Sequence, residues 1–372
     1  ASLPPAGRFE DRPDEWRTWL FAEMRSHFDD AVARKGSETR DFEIGGKRIR
    51  MNFAGADLGH TLTRALAHLT APSQLDPELT ICVWDSTNHK PDSFLLKAYL
   101  AAVTHDWWDF VNPRGQLLDF HKPPFMAAYH PGSQVLSVLD LSSNTGLYWR
   151  NAANPLPYYE AGSPFRTMLH WWFRARGMQF VHAASVGANG RGVLLVGKGG
   201  SGKSTSALVC LNAGLQYLGD DYCVVAVNPE PTVHSLYNTC KLVGEADLER
   251  FPGLAQRVWN RERASDDKAT VFLQEHWPER LGRCGTVQAI LIPQVTGKRN
   301  TALRPGTRME ALTALAPTTL AQLPSSDAQD LRTMKEIVHS APVFVLELGT
   351  DLSQIPDAIE RILNAAPVEV VS

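Results

Sequence analysis

The chain has 372 residues, more than the roughly 100–200 of one typical domain, so two domains are expected. Its 44% hydrophobic and 21% charged content is that of a globular protein able to close a full core. A net charge of −3 gives no electrostatic reason to expect nucleic acid or an anionic membrane as a partner. The five cysteines, Cys82, Cys210, Cys223, Cys240 and Cys284, are widely spaced and form no C-x-x-C pair. That pattern argues against a disulfide framework or a structural zinc and suits a reducing cytoplasm. No apolar run approaches the roughly 20 residues that span a bilayer, and the first five residues carry no signal-peptide pattern.

In chain order, residues 14–33 have the spacing of an amphipathic helix, with Trp16, Trp19, Leu20, Met24, Phe28 and Ala31 as its apolar stripe. Strands over 40–44 and 48–53 flank Gly45-Gly46, a hairpin signal. A helix follows over 56–69 and a short strand over 79–84. Residues 91–111 mix helical spacing with Trp107, Trp108 and Phe110. Strands over 126–129, 134–140 and 146–150 then lead to a Pro-rich linker ending at Pro157, closing a smaller α+β domain over 1–158.

The second domain, 159–372, opens with a helix over 164–176 in which Trp171 and Trp172 read as core. A strand over 179–186 and another over 193–196 run into a glycine-rich loop and a helix over 204–212, which Gly214 is placed to end. A hairpin is expected over 222–227 and 232–236. Residues 245–283 are charged and irregular. Strands over 286–293 and 342–348 and a helix over 354–363, with Ser353 as candidate cap, complete the reading.

The loop is the most informative stretch. Residues Gly197, Lys198, Gly199, Gly200, Ser201, Gly202, Lys203 and Ser204 spell G-x-x-x-x-G-K-S between a strand and a helix, with Thr205 next. Glycines there let successive N–H groups turn inward around phosphate oxygens. Lys203 would reach the β/γ-phosphates, Ser204 would ligate Mg²⁺, and the helix would point its positive end at the anion. ATP with Mg²⁺ is the implied ligand pair.

Asp220-Asp221 follows after one helix and one short strand. One carboxylate near a terminal phosphate serves the metal; two allow one to hold Mg²⁺, for which Ser204 and Asp221 are the candidates, and the other to take the proton of an incoming hydroxyl. His182, on the strand over 179–186, is either a group assisting that proton transfer or a core histidine. The basic residues Arg250, Arg257, Arg261, Arg263, Lys268, Arg280 and Arg283 offer candidates for neutralising transition-state charge, with 266–270 favoured for a nucleotide contact. No histidine spacing marks a metal site.

Taken together, the histidine strand over 180–186, the loop over 197–205 and the block over 214–222 resemble the HPr kinase/phosphorylase-like serine kinases, especially the subgroup associated with peptide maturation. The resemblance implies a P-loop kinase core of the HPr kinase/phosphoenolpyruvate carboxykinase type, a cytoplasmic phosphotransferase and a homo-oligomer. It also implies catalytic roles for Lys203, His182 and one of Asp220 and Asp221. The Glu-Ile-Arg-Gly signature that HPr kinases carry after the aspartates has no equivalent here, nor does their basic docking helix, so the implied acceptor is a serine on another peptide or small protein. Alternatives are a small-metabolite kinase and a nucleotide-binding regulatory module without phosphoryl transfer.

Overall fold

The computed structural model describes residues 5, 11–73, 76–86, 111–153, 155–265 and 267–365. The mixed pattern read over 91–111 lies outside them but for its last residue, as does Asp266. By backbone proximity the chain divides into a unit of Ala1–Arg64 with Thr70–Ala175 and a unit of Ala65–Leu69 with Arg176–Ser372. The protein is mixed α/β with several sheets, and no described helix is long and apolar enough to cross a membrane.

The first unit is built on six strands: β1 (Ser37–Ile44), β2 (Lys47–Ala54), β3 (Leu79–Ser86), β4 (Phe125–His130), β5 (Val135–Asp140) and β6 (Thr145–Asn151). Their order in the sheet is β1-β2-β3-β6-β5-β4. β1 and β2 pair antiparallel across Gly45-Gly46, as the hairpin signal predicts. The helix Pro13–Lys35 lays Trp16, Leu20, Met24 and Phe28 on one face of the sheet, against Cys82, Trp84, Leu147 and Trp149. Gly146 and Tyr148 alternate with Leu147 and so turn to the opposite face. There the helix Arg166–Arg174 approaches so closely that a side chain on Gly146 would meet Met168 Sδ. Trp171 and Trp172 are buried, as expected of core.

The second unit carries a nine-stranded mixed sheet. Its strands are β7 (Met178–Val181), β8 (Ala183–Ala188), β9 (Arg191–Val196), β10 (Gln216–Gly219), β11 (Cys223–Ala226), β12 (Thr232–His234), β15 (Cys284–Val295), β16 (Ala302–Pro305) and β17 (Val343–Leu348). β13 (Thr239–Leu242) and β14 (Ala269–Phe272) pair separately as a two-stranded sheet. The main order is β10-β8-β9-β15-β12-β11-β7, with β17 on β15 and β16 on β17. β9 runs parallel to β15, and β15 parallel to β17.

Helices cover both faces, which explains why β9 reads as a continuous apolar run rather than an alternating one. Val193 and Leu195 point to one side, packing with Leu208 and Leu211 of the helix Lys203–Ala213 and with Ile355 and Ile359 of the helix Gln354–Asn364. Leu194 and Val196 point to the other, against Leu315 of the helix Arg308–Gln322 and Met334 of the helix Ala328–His339. Ser353 precedes the last helix but does not cap it; its hydroxyl donates to Asp351 Oδ1 instead.

Two readings change. The single strand expected over 179–186 is two, broken at His182, because β7 pairs with β11 while β8 pairs with β9 and β10. The charged segment over 245–283 is not wholly irregular, since it contributes β14 to the pair with β13. Because Leu195 is fully buried in the strand that carries the loop, Leu195→Ala is expected to lower stability by about 2–5 kcal/mol, read from the denaturation midpoint in urea.

Candidate functional site

The loop leaves the sheet at the end of β9 and enters its helix through Gly202, whose backbone stands at φ 101. A side chain there would also meet Leu348 Cδ1 of β17, so both conformation and space require glycine at this position. Lys203 is the first residue of the helix and is buried. Its Nζ donates to the carbonyls of Gly197 at 2.6 Å and Lys198 at 3.2 Å, holding the loop closed around its own ammonium. Burial lowers the Lys203 pKa, against the opposing charges of Asp220 and Asp221. Gly197 is buried, whereas Lys198, Gly199 and Gly200 are exposed; Ser201, Ser204 and Thr205 are half-buried. Arg280 steadies the far end of the helix, donating to the Leu211 and Asn212 carbonyls at 2.6 and 3.3 Å.

The tandem aspartates stand just beyond β10, and the backbone separates them. Asp221 has φ 63, a left-handed conformation uncommon for a residue with a side chain. The Tyr222 N–H closes the bend by donating to the Asp220 carbonyl at 2.8 Å. The two carboxylates consequently face different surroundings. Asp220 is 4% exposed, and its Oδ1 is buried without a hydrogen-bond partner. Burial raises its pKa, and the neighbouring Asp221 charge raises it further. Asp221 Oδ2 lies 2.7 Å from Lys241 Nζ, and its Oδ1 lies 3.7 Å from His182 Nε2. Burial alone would raise the Asp221 carboxyl, but Lys241, with His182, holds it well below the usual range. Adjacent carboxyl groups pushed in opposite directions are the pattern of a site that separates two roles.

His182 occupies the break between β7 and β8, with its backbone N–H donating to Thr319 Oγ1 at 3.0 Å. Its Nδ1 is buried without a partner. Of the seven basic candidates, Lys268 acts electrostatically on both Lys203 and Asp221. Others serve elsewhere: Arg250 pairs with Asp247, Arg257 lies over the Trp277 ring, and Arg280 caps the loop helix. Ser204, expected to share a metal with Asp221, is the hydroxyl that draws the Asp220 carboxyl down against its burial. Lys241 is assigned no role in the sequence reading. Its signal was a lone lysine in the strand-like run Thr239-Cys240-Lys241-Leu242, where a buried charge demands a partner.

Among the described residues no cluster of three or more His, Cys, Asp or Glu side chains could hold a metal by itself. Mg²⁺ does not require one, since it commonly binds through one or two protein oxygens together with phosphate and water. The unpartnered Oδ1 of Asp220 beside Ser204 fits that demand.

No family model matches this chain, and no curated protein matches it. Among solved structures, the HPr(Ser) kinase/phosphatase from Coxiella burnetii is weakly similar. It is 11% identical with a TM-score of 0.29, over 49% of this chain and 95% of that one.

Gly202→Ala combines a disfavoured φ with a collision at Leu348, so it is expected to cost about 1–3 kcal/mol, checked as a lowered melting temperature.

Proposed function

We propose that this protein is an ATP-dependent phosphotransferase that moves the γ-phosphate to a hydroxyl, specifically a serine of a peptide or small protein, on a P-loop kinase core of the HPr kinase type. The observation that carries the reading is the split aspartate pair beside the loop: Asp220 with a buried oxygen unmet, Asp221 turned to Lys241 and His182. A nucleotide switch needs only one metal carboxylate, whereas phosphoryl transfer to a hydroxyl also uses a proton acceptor. The serine and the peptide come from the resemblance of the segments over 180–186, 197–205 and 214–222 to serine kinases of that type.

In this reading the loop amides and Lys203 bind the phosphates, Lys203 exchanging the Gly197 and Lys198 carbonyls for phosphate oxygens. Ser204 and Asp220 would hold Mg²⁺, which supplies charge neutralisation on the phosphates. Asp220 takes that role rather than Asp221 because its Oδ1 is buried and unmet, whereas Asp221 Oδ2 already holds Lys241. Asp221 receives the acceptor proton. The hydroxyl oxygen forms its bond to the γ-phosphorus as the bond to the β–γ bridging oxygen breaks, and ADP departs with that electron pair. His182, 3.7 Å from Asp221 Oδ1, orients the carboxylate and flanks the proton's path.

With radiolabelled ATP and Mg²⁺, the protein is expected to label an acceptor in a lysate of its own source. Asp221→Asn should reduce labelling by about 10²–10⁴-fold while nucleotide binding survives. Asp220→Asn should abolish labelling and weaken binding of the Mg²⁺–nucleotide pair. Normal transfer by both variants would remove the assigned base and metal ligand, and nucleotide binding without any labelled acceptor would favour the regulatory module.

A further inference from the structure

Lys241 is the feature of the site that neither the loop motif nor the tandem aspartates account for. Its side chain is 8% exposed and its Nζ lies 2.7 Å from Asp221 Oδ2. The position is fixed by β13, where Lys241 stands opposite Thr270 of β14. On the other side of the bend, Asp220 Oδ1 is buried with no partner. Two adjacent carboxylates thus meet unlike conditions: one already holds an ammonium, and the other presents an unmet acceptor next to a hydroxyl.

We propose that Lys241 is a built-in second cation, seated on Asp221 where a second divalent ion would otherwise bind, so that the site takes one divalent cation per nucleotide, on the Asp220 side. This rests on the phosphotransferase reading above. A dication sharing the Asp221 carboxylate with Lys241 would meet the ammonium at close range, where the protein screens charge far less than water does. Mg²⁺ also demands near-octahedral oxygen ligation. The acid nearest to Lys241 in sequence on its C-terminal side, Glu245, is exposed in the first turn of the helix Gly244–Arg250. No described cluster of three acidic, His or Cys side chains supplies an alternative. Lys241 is a positioning residue in this scheme: it holds the Asp221 carboxylate in its left-handed bend without occupying the phosphate loop.

The test is the stoichiometry of Mn²⁺, titrated by electron paramagnetic resonance into the whole chain with a saturating non-hydrolysable ATP analogue. The wild type is expected to hold one Mn²⁺, and Lys241→Arg to hold one as well. Lys241→Met should take up a second, and the double variant Lys241→Met with Asp221→Asn should return to one. In EDTA, Lys241→Met is expected to melt several degrees lower than wild type, because Asp221 is left without its cation. Added Mn²⁺ should restore the loss. Two Mn²⁺ in the nucleotide-loaded wild type would overturn the proposal whether or not Lys241→Met folds. A folded Lys241→Met with one Mn²⁺ would overturn it too. Failure of the analogue to bind wild type at all would instead remove the phosphotransferase reading on which it stands.

Discussion

The second unit depends on how it accommodates charge in its interior. Lys203, Asp220 and Lys241 are buried and Asp221 largely so, drawn together from a helix start, a bend beyond β10 and the separate strand β13. Taking such groups out of water costs several kcal/mol each unless they find partners. The chain meets most of that demand internally, through Lys241 on Asp221 and backbone carbonyls on Lys203. One oxygen of Asp220 stays unmet, a cost of about 1–3 kcal/mol by the usual measure of an orphaned acceptor.

That arrangement follows from a single backbone feature. With ordinary strand geometry beyond β10, Asp220 and Asp221 would point to opposite faces of the sheet, and only one could serve the loop. The left-handed conformation at Asp221 breaks the alternation at that residue. It brings both carboxylates to one region while keeping their oxygens on different partners. The strain is local, and the bond from the Tyr222 N–H to the Asp220 carbonyl offsets part of it.

What could be read from the sequence is what depends on neighbouring residues. The loop is legible because glycines, lysine and serine fall in a fixed order within one turn. Gly45-Gly46 and Gly214 are legible for the same reason, and the structure gives Gly214 its left-handed cap. The break at His182 is not legible, because it arises from two halves of one apolar run choosing different neighbours far away in sequence. Lys241 was missed because its strand pairs across a charged segment that carries no strand pattern until Ala269–Phe272. The helices Arg308–Gln322 and Ala328–His339 were also missed. Pro317 lies inside the first and reads as a breaker, and its apolar stripe is weak, yet both begin with capping boxes, Thr307 with Glu310 and Asp327 with Asp330.

The first of those unread helices braces the very bend on which the site depends. Thr319 Oγ1 accepts from the His182 N–H at 3.0 Å, and Gln322 Oε1 accepts from the Tyr222 hydroxyl at 2.7 Å. His182 and Tyr222 lie on either side of Asp221, one across the space and one next in the chain. A single helical turn on the far face of the sheet thereby fixes both neighbours of the carboxylate, through a main-chain donor and a phenol rather than through Asp221 itself. A left-handed aspartate is thereby held through both of its neighbours as well as through its own ion pair with Lys241. Oδ2 is taken by Lys241 at 2.7 Å, while Oδ1 stands 3.7 Å from His182 Nε2, beyond hydrogen-bond distance.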